Sequence, residues 1–134
     1  MIYLLDTNLI SHIIRDDIPG LRQRLKQTAA SHDIAVSAIS VGELFYGLAR
    51  RGYPKAMTQA IEAMLASVSI LPWTEDTARQ YGRLRATCET SGINLTLSDM
   101  MIAAQAVTAK AILVSRDKAF THLKAHLQVE DWIG

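Results

Sequence analysis

Four carboxylates stand where they could do chemistry together. Asp6 ends the apolar run that starts at Ile2, Glu43 lies in the first turn of a helical pattern after the apolar stretch 34–38, Asp99 opens the helical pattern 98–109, and Asp117 stands two residues beyond the apolar run 112–115. Acids gathered in one place repel one another unless their pKa values rise or a cation joins them. Oxygen donors without a convergent His or Cys select Mg2+ or Mn2+ rather than zinc. Such an ion suits phosphoryl chemistry, because it orients and acidifies a water and neutralises charge on a leaving oxygen. Of the four histidines, His122 and His126 are spaced i,i+4, but the end of a helix is expected between them and they are not read as ligands.

A regular alternation of strands and helices has to bring these acids together. The residue pattern predicts strands at 2–5, 34–38, 68–71, 112–115 and 127–129. It predicts helices at 7–15, 21–30, 40–51, 55–66, 75–90 and 98–109, with a short one at 118–123. The first strand is an unbroken apolar run of the buried kind, and Leu9, Ile10, Ile13 and Ile14 after it keep helical spacing. Pro19 with Gly20, Gly52 with Pro54, and Gly92 punctuate the helices. The alternation implies a parallel sheet of four or five strands covered by helices on both faces, a three-layer α/β/α domain spanning 1–134 with no linker or repeat. Ligands of such sheets bind at the carboxyl ends of the strands. Asp6, Glu43 and Asp117 follow strands there. The helix that opens at Asp99 feeds the fourth strand and runs antiparallel to it, so its start lies beside Asp117.

Each acid also has a purely structural reading. Asp6 and Asp117 can cap or stabilise the helices that follow them, while Ser40-Val41-Gly42-Glu43 and Thr96-Leu97-Ser98-Asp99 fit capping boxes. Composition bears on the choice. The net charge is only +1, but setting the four acids aside leaves nine Asp and Glu against 14 Lys and Arg, a balance suited to a polyanion. Basic clusters around Arg22, Arg50 and Arg83 read singly as solvated helix faces and together could frame such a substrate. No glycine-rich phosphate loop follows any strand, which argues against ATP and dinucleotide enzymes.

At 134 residues the chain can bury a core without staples. The lone Cys88 permits no internal disulfide, is read as a small buried or half-buried residue rather than a nucleophile, and fits a reducing compartment. With no apolar run long enough for a bilayer, the expectation is a soluble cytoplasmic protein without membrane contact.

The motifs resemble those of the PIN-domain ribonucleases, and within them the VapC toxins of toxin-antitoxin pairs. Leu5-Asp6-Thr7-Asn8 looks like the family's opening motif; Ser37 to Leu44 with Tyr46-Gly47 looks like its second; Ser98 to Ala104 resembles the third. Leu113-Val114-Ser115-Arg116-Asp117 with Phe120 resembles the fourth, and Val129-Glu130-Asp131-Trp132 the common ending. The resemblance spans nearly the whole chain. It implies a metal-dependent endoribonuclease toxin that hydrolyses RNA, a transfer or ribosomal RNA by analogy, to a 5′-phosphate and a 3′-hydroxyl. Asp6, Glu43, Asp99 and Asp117 are then the acidic quartet holding Mg2+ or Mn2+, with Asp6 and Asp99 as direct ligands and Glu43 acting through water or from behind the direct ligands to orient the attacking water. Thr7, Asn8 and Ser115 are positioning residues. A VapB-type antitoxin, a homodimer and a toxin-antitoxin hetero-oligomer are implied partners, with the Ala- and Met-rich helix 55–66 as a possible dimer contact.

The chain departs from the pattern at Arg116, where many relatives carry Asn; an arginine there could steer a phosphate or temper the affinity of Asp117 for metal. Two other classes compete. A haloacid dehalogenase-type phosphatase also opens with a strand ending in Asp but needs a second Asp where Asn8 stands. A PIN-like module could instead bind RNA or protein with little catalysis.

Overall fold

The computed structural model describes all of residues 1–134. Five strands, β1 (Ile2–Leu5), β2 (Asp33–Ser37), β3 (Ser69–Leu71), β4 (Ile112–Val114) and β5 (Gln128–Glu130), form one sheet in the order β3-β2-β1-β4-β5. Every pairing is parallel. Between the strands run α1 (Thr7–Arg15), α2 (Leu21–Ala29), α3 (Ala38–Arg50), α4 (Lys55–Ala66), α5 (Glu75–Ser91), α6 (Leu97–Ala109) and a 3-10 turn at Lys118–Leu123. This is the expected three-layer α/β/α architecture, and residues 128–130 do join the sheet as a fifth strand.

The strands are apolar along their length because both sheet faces are covered, and successive side chains point to opposite faces. Leu4, Ala35 and Leu113 enter a core closed by α5, α6 and the 3-10 turn, with Ile102, Ala103, Phe120 and Leu123 buried there. Leu5, Val36 and Val114 enter the other core, closed by Leu9, Ile10 and Ile13 of α1, Leu48 of α3, and Ile61 and Met64 of α4. Those two apolar residues of α4 are therefore spent inside the fold. Cys88 is fully buried on the α5 side.

The order of strands reverses at β1. From it the chain moves one way to β2 and β3, then crosses back to place β4 on the other side. The carboxyl ends of β1 and β4 thus flank a topological switch point, where adjacent connections leave toward opposite faces and open a crevice.

One local expectation is corrected. α3 starts at Ala38, not Ser40: Ser37 is the N-cap, its Oγ accepting from the Ile39 N–H at 2.9 Å. No Ser40–Glu43 capping box forms, and Glu43 lies in the second turn rather than the first. The earlier start leaves Ser40 fully buried, facing α1. The strand end and the helix start share Ser37, and a short polar side chain at that corner outcompetes the later serine as cap.

Candidate active site

Asp6 is the residue directly after β1, and its N–H donates to Val114 O at 3.1 Å, carrying the β1–β4 pairing one step further. Its side chain is only 6% exposed. Oδ1 accepts from the Leu9 N–H at 2.7 Å, so Asp6 is also the N-cap of α1. Burial pushes its carboxyl above the ordinary 3.8, Ser115 and Leu9 hydrogen bonds pull it back, and the charges of Asp99 and Asp117 push it up again. Asp99 behaves alike: burial raises it most, the Thr96 bond opposes, and Asp117 and Glu43 raise it further. Asp99 and Asp117 thus act on Asp6, and Asp117 and Glu43 on Asp99, so Asp99 links the acids after β1, in α3 and after β4 electrostatically.

Glu43 is fixed by hydroxyls from two other helices. Its Oε1 accepts from Thr7 Oγ1 at 2.9 Å and from Ser98 Oγ at 2.9 Å, spanning sequence separations of 36 and 55 residues. Thr7 Oγ1 also meets Ser40 Oγ at 2.7 Å. Since Thr7 adjoins Asp6 and Ser98 adjoins Asp99, Glu43 braces the starts of α1 and α6 together. Asp99 follows from the N-cap of α6, where Thr96 Oγ1 accepts its N–H at 3.1 Å. Asp117 caps the 3-10 turn, Oδ1 accepting from the Ala119 N–H at 2.9 Å, while its own N–H donates to Ser115 Oγ at 3.0 Å. Asp6 and Asp117 are thus both caps and lining residues of one cleft.

Of the expected positioning residues, Thr7 and Ser115 make the bonds just described. Asn8 lines the cleft, but none of the hydrogen bonds joins it to a carboxylate. Ser40 and Ser98, which the sequence offers only as members of capping patterns, are the hydroxyls that join Thr7 and Glu43, respectively. His12 was missed, because its only signal is a place one turn and a half after Asp6 on α1. The cleft has a volume of about 530 Å³ and is lined by Asp6 and Asp117 together with His12, Arg116 and Lys118. Arg15 and Arg51 line a second hollow together with Glu43. Arg22, by contrast, is occupied by the last turn of α1, donating to Ile13 O at 2.8 Å and Ile14 O at 3.0 Å.

The donor set is carboxylate oxygen throughout, partly buried and mutually repelling, which fits a hard divalent cation. No three His, Cys, Asp or Glu side chains stand close enough to share one ion in this conformation.

The PIN domain family model matches residues 3–125. A relative, Ribonuclease VapC2 of Haemophilus influenzae, is 30% identical over 131 residues, 98% of each chain. The tRNA(fMet)-specific endonuclease VapC of Shigella flexneri is 25% identical over 130 residues, 97% of each chain. In the crystal structure of VapBC2 from Rickettsia felis bound to a promoter DNA fragment, a chain of 27% identity superposes with a TM-score of 0.92 over 98% of this chain and 99% of that one. A match over most of the length in sequence and fold alike means that the chain belongs to the PIN-domain family and, within it, to the VapC ribonucleases.

Proposed function

We propose that this protein is a metal-dependent endoribonuclease toxin whose catalytic acids are Asp6, Glu43, Asp99 and Asp117. The observation that carries the reading is the raised carboxyl of buried Asp6, opposed by Asp99 and Asp117 at a sheet switch point. Carboxyls raised by burial first and by neighbouring acids second are the kind of perturbed group that gathers at functional sites.

Asp6 and Asp99 would hold Mg2+ or Mn2+, with Asp117 and Glu43 beside them. A divalent ion bound there acidifies water and neutralises charge on the leaving oxygen. Glu43, braced at Oε1 by Thr7 and Ser98, has its Oε2 available to orient the attacking water and accept its proton. The water oxygen bonds to phosphorus in line, the P–O3′ bond breaks, and a proton completes the 3′-hydroxyl, leaving a 5′-phosphate on the downstream fragment. Transfer RNA is the first substrate to test, given the activity named for the Shigella flexneri relative. An antitoxin partner, pairing of two copies and a toxin-antitoxin hetero-oligomer belong to the same reading, with the Rickettsia felis VapBC2 assembly as the precedent. Asn8, standing where a phosphatase needs its second Asp, supports nuclease over phosphatase chemistry.

The test is cleavage of end-labelled bulk transfer RNA by protein purified free of antitoxin, with Mg2+, with Mn2+ and with chelator. Cleavage should require the metal and vanish in Asp6→Asn and Asp99→Asn. Cleavage that survives those substitutions would overturn the assignment. Metal-independent RNA binding without cleavage would favour the binding module.

A further inference from the structure

The basic wall of the acid cleft is built in a way that catalysis by four carboxylates does not require. Arg116 precedes Asp117 and shares the cleft with Asp6, yet it takes part in none of the six ion pairs of the chain. Its partner is instead His12, 104 residues away in sequence, with Arg116 Nη2 3.2 Å from His12 Nε2. The other ring nitrogen, Nδ1, lies 2.8 Å from Asp17 Oδ1. A guanidinium can only donate and an ionised carboxylate can only accept. The tautomer that satisfies both contacts carries its proton on Nδ1, donates it to Asp17, and accepts from Arg116 at Nε2. This proton placement is assigned from the bonding pattern. Arg15 Nη2 also stands 3.2 Å from Nδ1, but the shorter, charge-assisted Asp17 contact takes that position. Asp17 is held in turn by the Arg15 Nε donor at 3.0 Å, and its carboxyl lies below the usual range because of His12 first and Arg15 second.

The result is a tether of Asp17, His12 and Arg116 from the end of α1 to the loop after β4. It holds a cation in a cleft lined by two acids through the His12 ring. One corner of the guanidinium is occupied by Nε2, and its other N–H donors remain for an anion. A planar fork of this kind matches the two oxygens of a phosphodiester. We infer that Arg116 is a phosphate contact for RNA entering the acid cleft, and that His12 and Asp17 are positioning residues acting through it. The inference rests on the ribonuclease reading for its substrate class, but its test does not depend on cleavage.

Binding of fluorescently labelled bulk transfer RNA is measured by anisotropy with Ca2+ in place of Mg2+, across a salt series. Arg116→Ala should weaken binding by about fivefold to twentyfold and flatten the slope of log affinity against log salt by roughly 0.7–0.9, the contribution of one phosphate contact. His12→Leu should give the same kind of loss while melting at the wild-type temperature. The double variant should bind no worse than Arg116→Ala alone, because two residues acting as one unit do not add. His12→Gln, whose carbonyl can take the place of the Nε2 lone pair, should restore binding to within about twofold, less than the loss of one ordinary hydrogen bond. Wild-type affinity and salt slope in Arg116→Ala, or losses that add in the double variant, would overturn the inference. Loss of metal-dependent cleavage in the wild type, with the binding pattern intact, would count against the ribonuclease reading alone.

Discussion

Asp6 shows why a helix cap and the proposed catalytic role need not compete at one residue. Its Oδ1 closes the first turn of α1, and the rest of the carboxyl takes part in the repulsion with Asp99 and Asp117. Asp117 divides its work similarly, with Oδ1 on the Ala119 N–H. The energetic sign is unfavourable. An acid whose folded pKa is raised above 3.8 contributes stability below that pH and loses it as pH rises through the folded value, so both Asp6 and Asp99 weaken the apo protein at neutral pH. In chelator at pH 7, Asp6→Asn and Asp99→Asn should therefore melt higher than wild type, by about 2–8 °C for each kcal/mol of repulsion and desolvation relieved. Asn is as good an N-cap as Asp, so the first variant keeps its helix start. Adding Mn2+ should raise the wild-type melting temperature through ligand linkage and leave the two variants unmoved. Destabilised Asn variants, or a metal shift that persists in them, would contradict this. The positions of Asp6, Asp99 and Asp117 after strands or at a helix start were legible because strand ends and helix starts are local signals. The hydroxyls that brace Glu43 were not, since they depend on which way side chains turn across 36 and 55 residues of sequence.

Among the elements, α3 carries the clearest difference between pattern and structure. Ser37 and Ser40 are both plausible caps by composition, and only the end of β2 decides between them. The earlier start frees Ser40 for Thr7 and places Glu43 a turn deeper, where it can reach α6. The Thr7–Ser40 contact at 2.7 Å thus ties the first two motifs together. Thr7→Val preserves shape but removes both bonds of the hydroxyl. It should lower stability by about 1–3 kcal/mol, the cost of leaving the buried Ser40 hydroxyl unpaired. Adding Ser40→Ala should recover most of that loss, because replacing both partners by apolar groups is close to neutral. Cleavage should stay low in the double variant, since Glu43 still lacks its Thr7 donor. Thermal melts with single-turnover cleavage separate the two effects, and activity that returned along with stability would show that Thr7 acts only through the fold. Gln105 was illegible for a related reason. Buried within an Ala-rich helix, it donates to Leu71 O at 2.9 Å and Pro72 O at 3.2 Å, tying α6 to the end of β3.

At the scale of the molecule, the layers followed from alternation and apolar runs, but the strand order did not. Nothing local states that β4 returns beside β1, and that return is what sets Asp6 and Asp117 across one crevice. The same crossing makes the C-terminal residues part of the site. Ile133 lines the cleft with Asp6, and its position depends on a lock formed just before it. Trp132 Nε1 donates to Glu130 Oε1 at 2.9 Å, Arg24 of α2 donates to the same oxygen at 2.9 Å, and the Arg24 guanidinium lies 5.4 Å from the centre of the Trp132 ring. Tyr3 of β1 packs on the other side, with ring centres 5.8 Å apart. The contributions are unequal. The Arg24–Glu130 pair is half exposed and worth about 1 kcal/mol or less, whereas removing the largely buried Trp132 ring costs about 3–5 kcal/mol. Trp132→Ala should therefore lower the melting temperature sharply and, assayed at a temperature where it remains folded, should also reduce RNA cleavage by releasing Ile133 from the cleft wall. Arg24→Gln should change stability little and cleavage less. If Trp132→Ala, still folded, cleaves RNA at the wild-type rate, the C-terminal segment supports the fold alone and the cleft is complete without it.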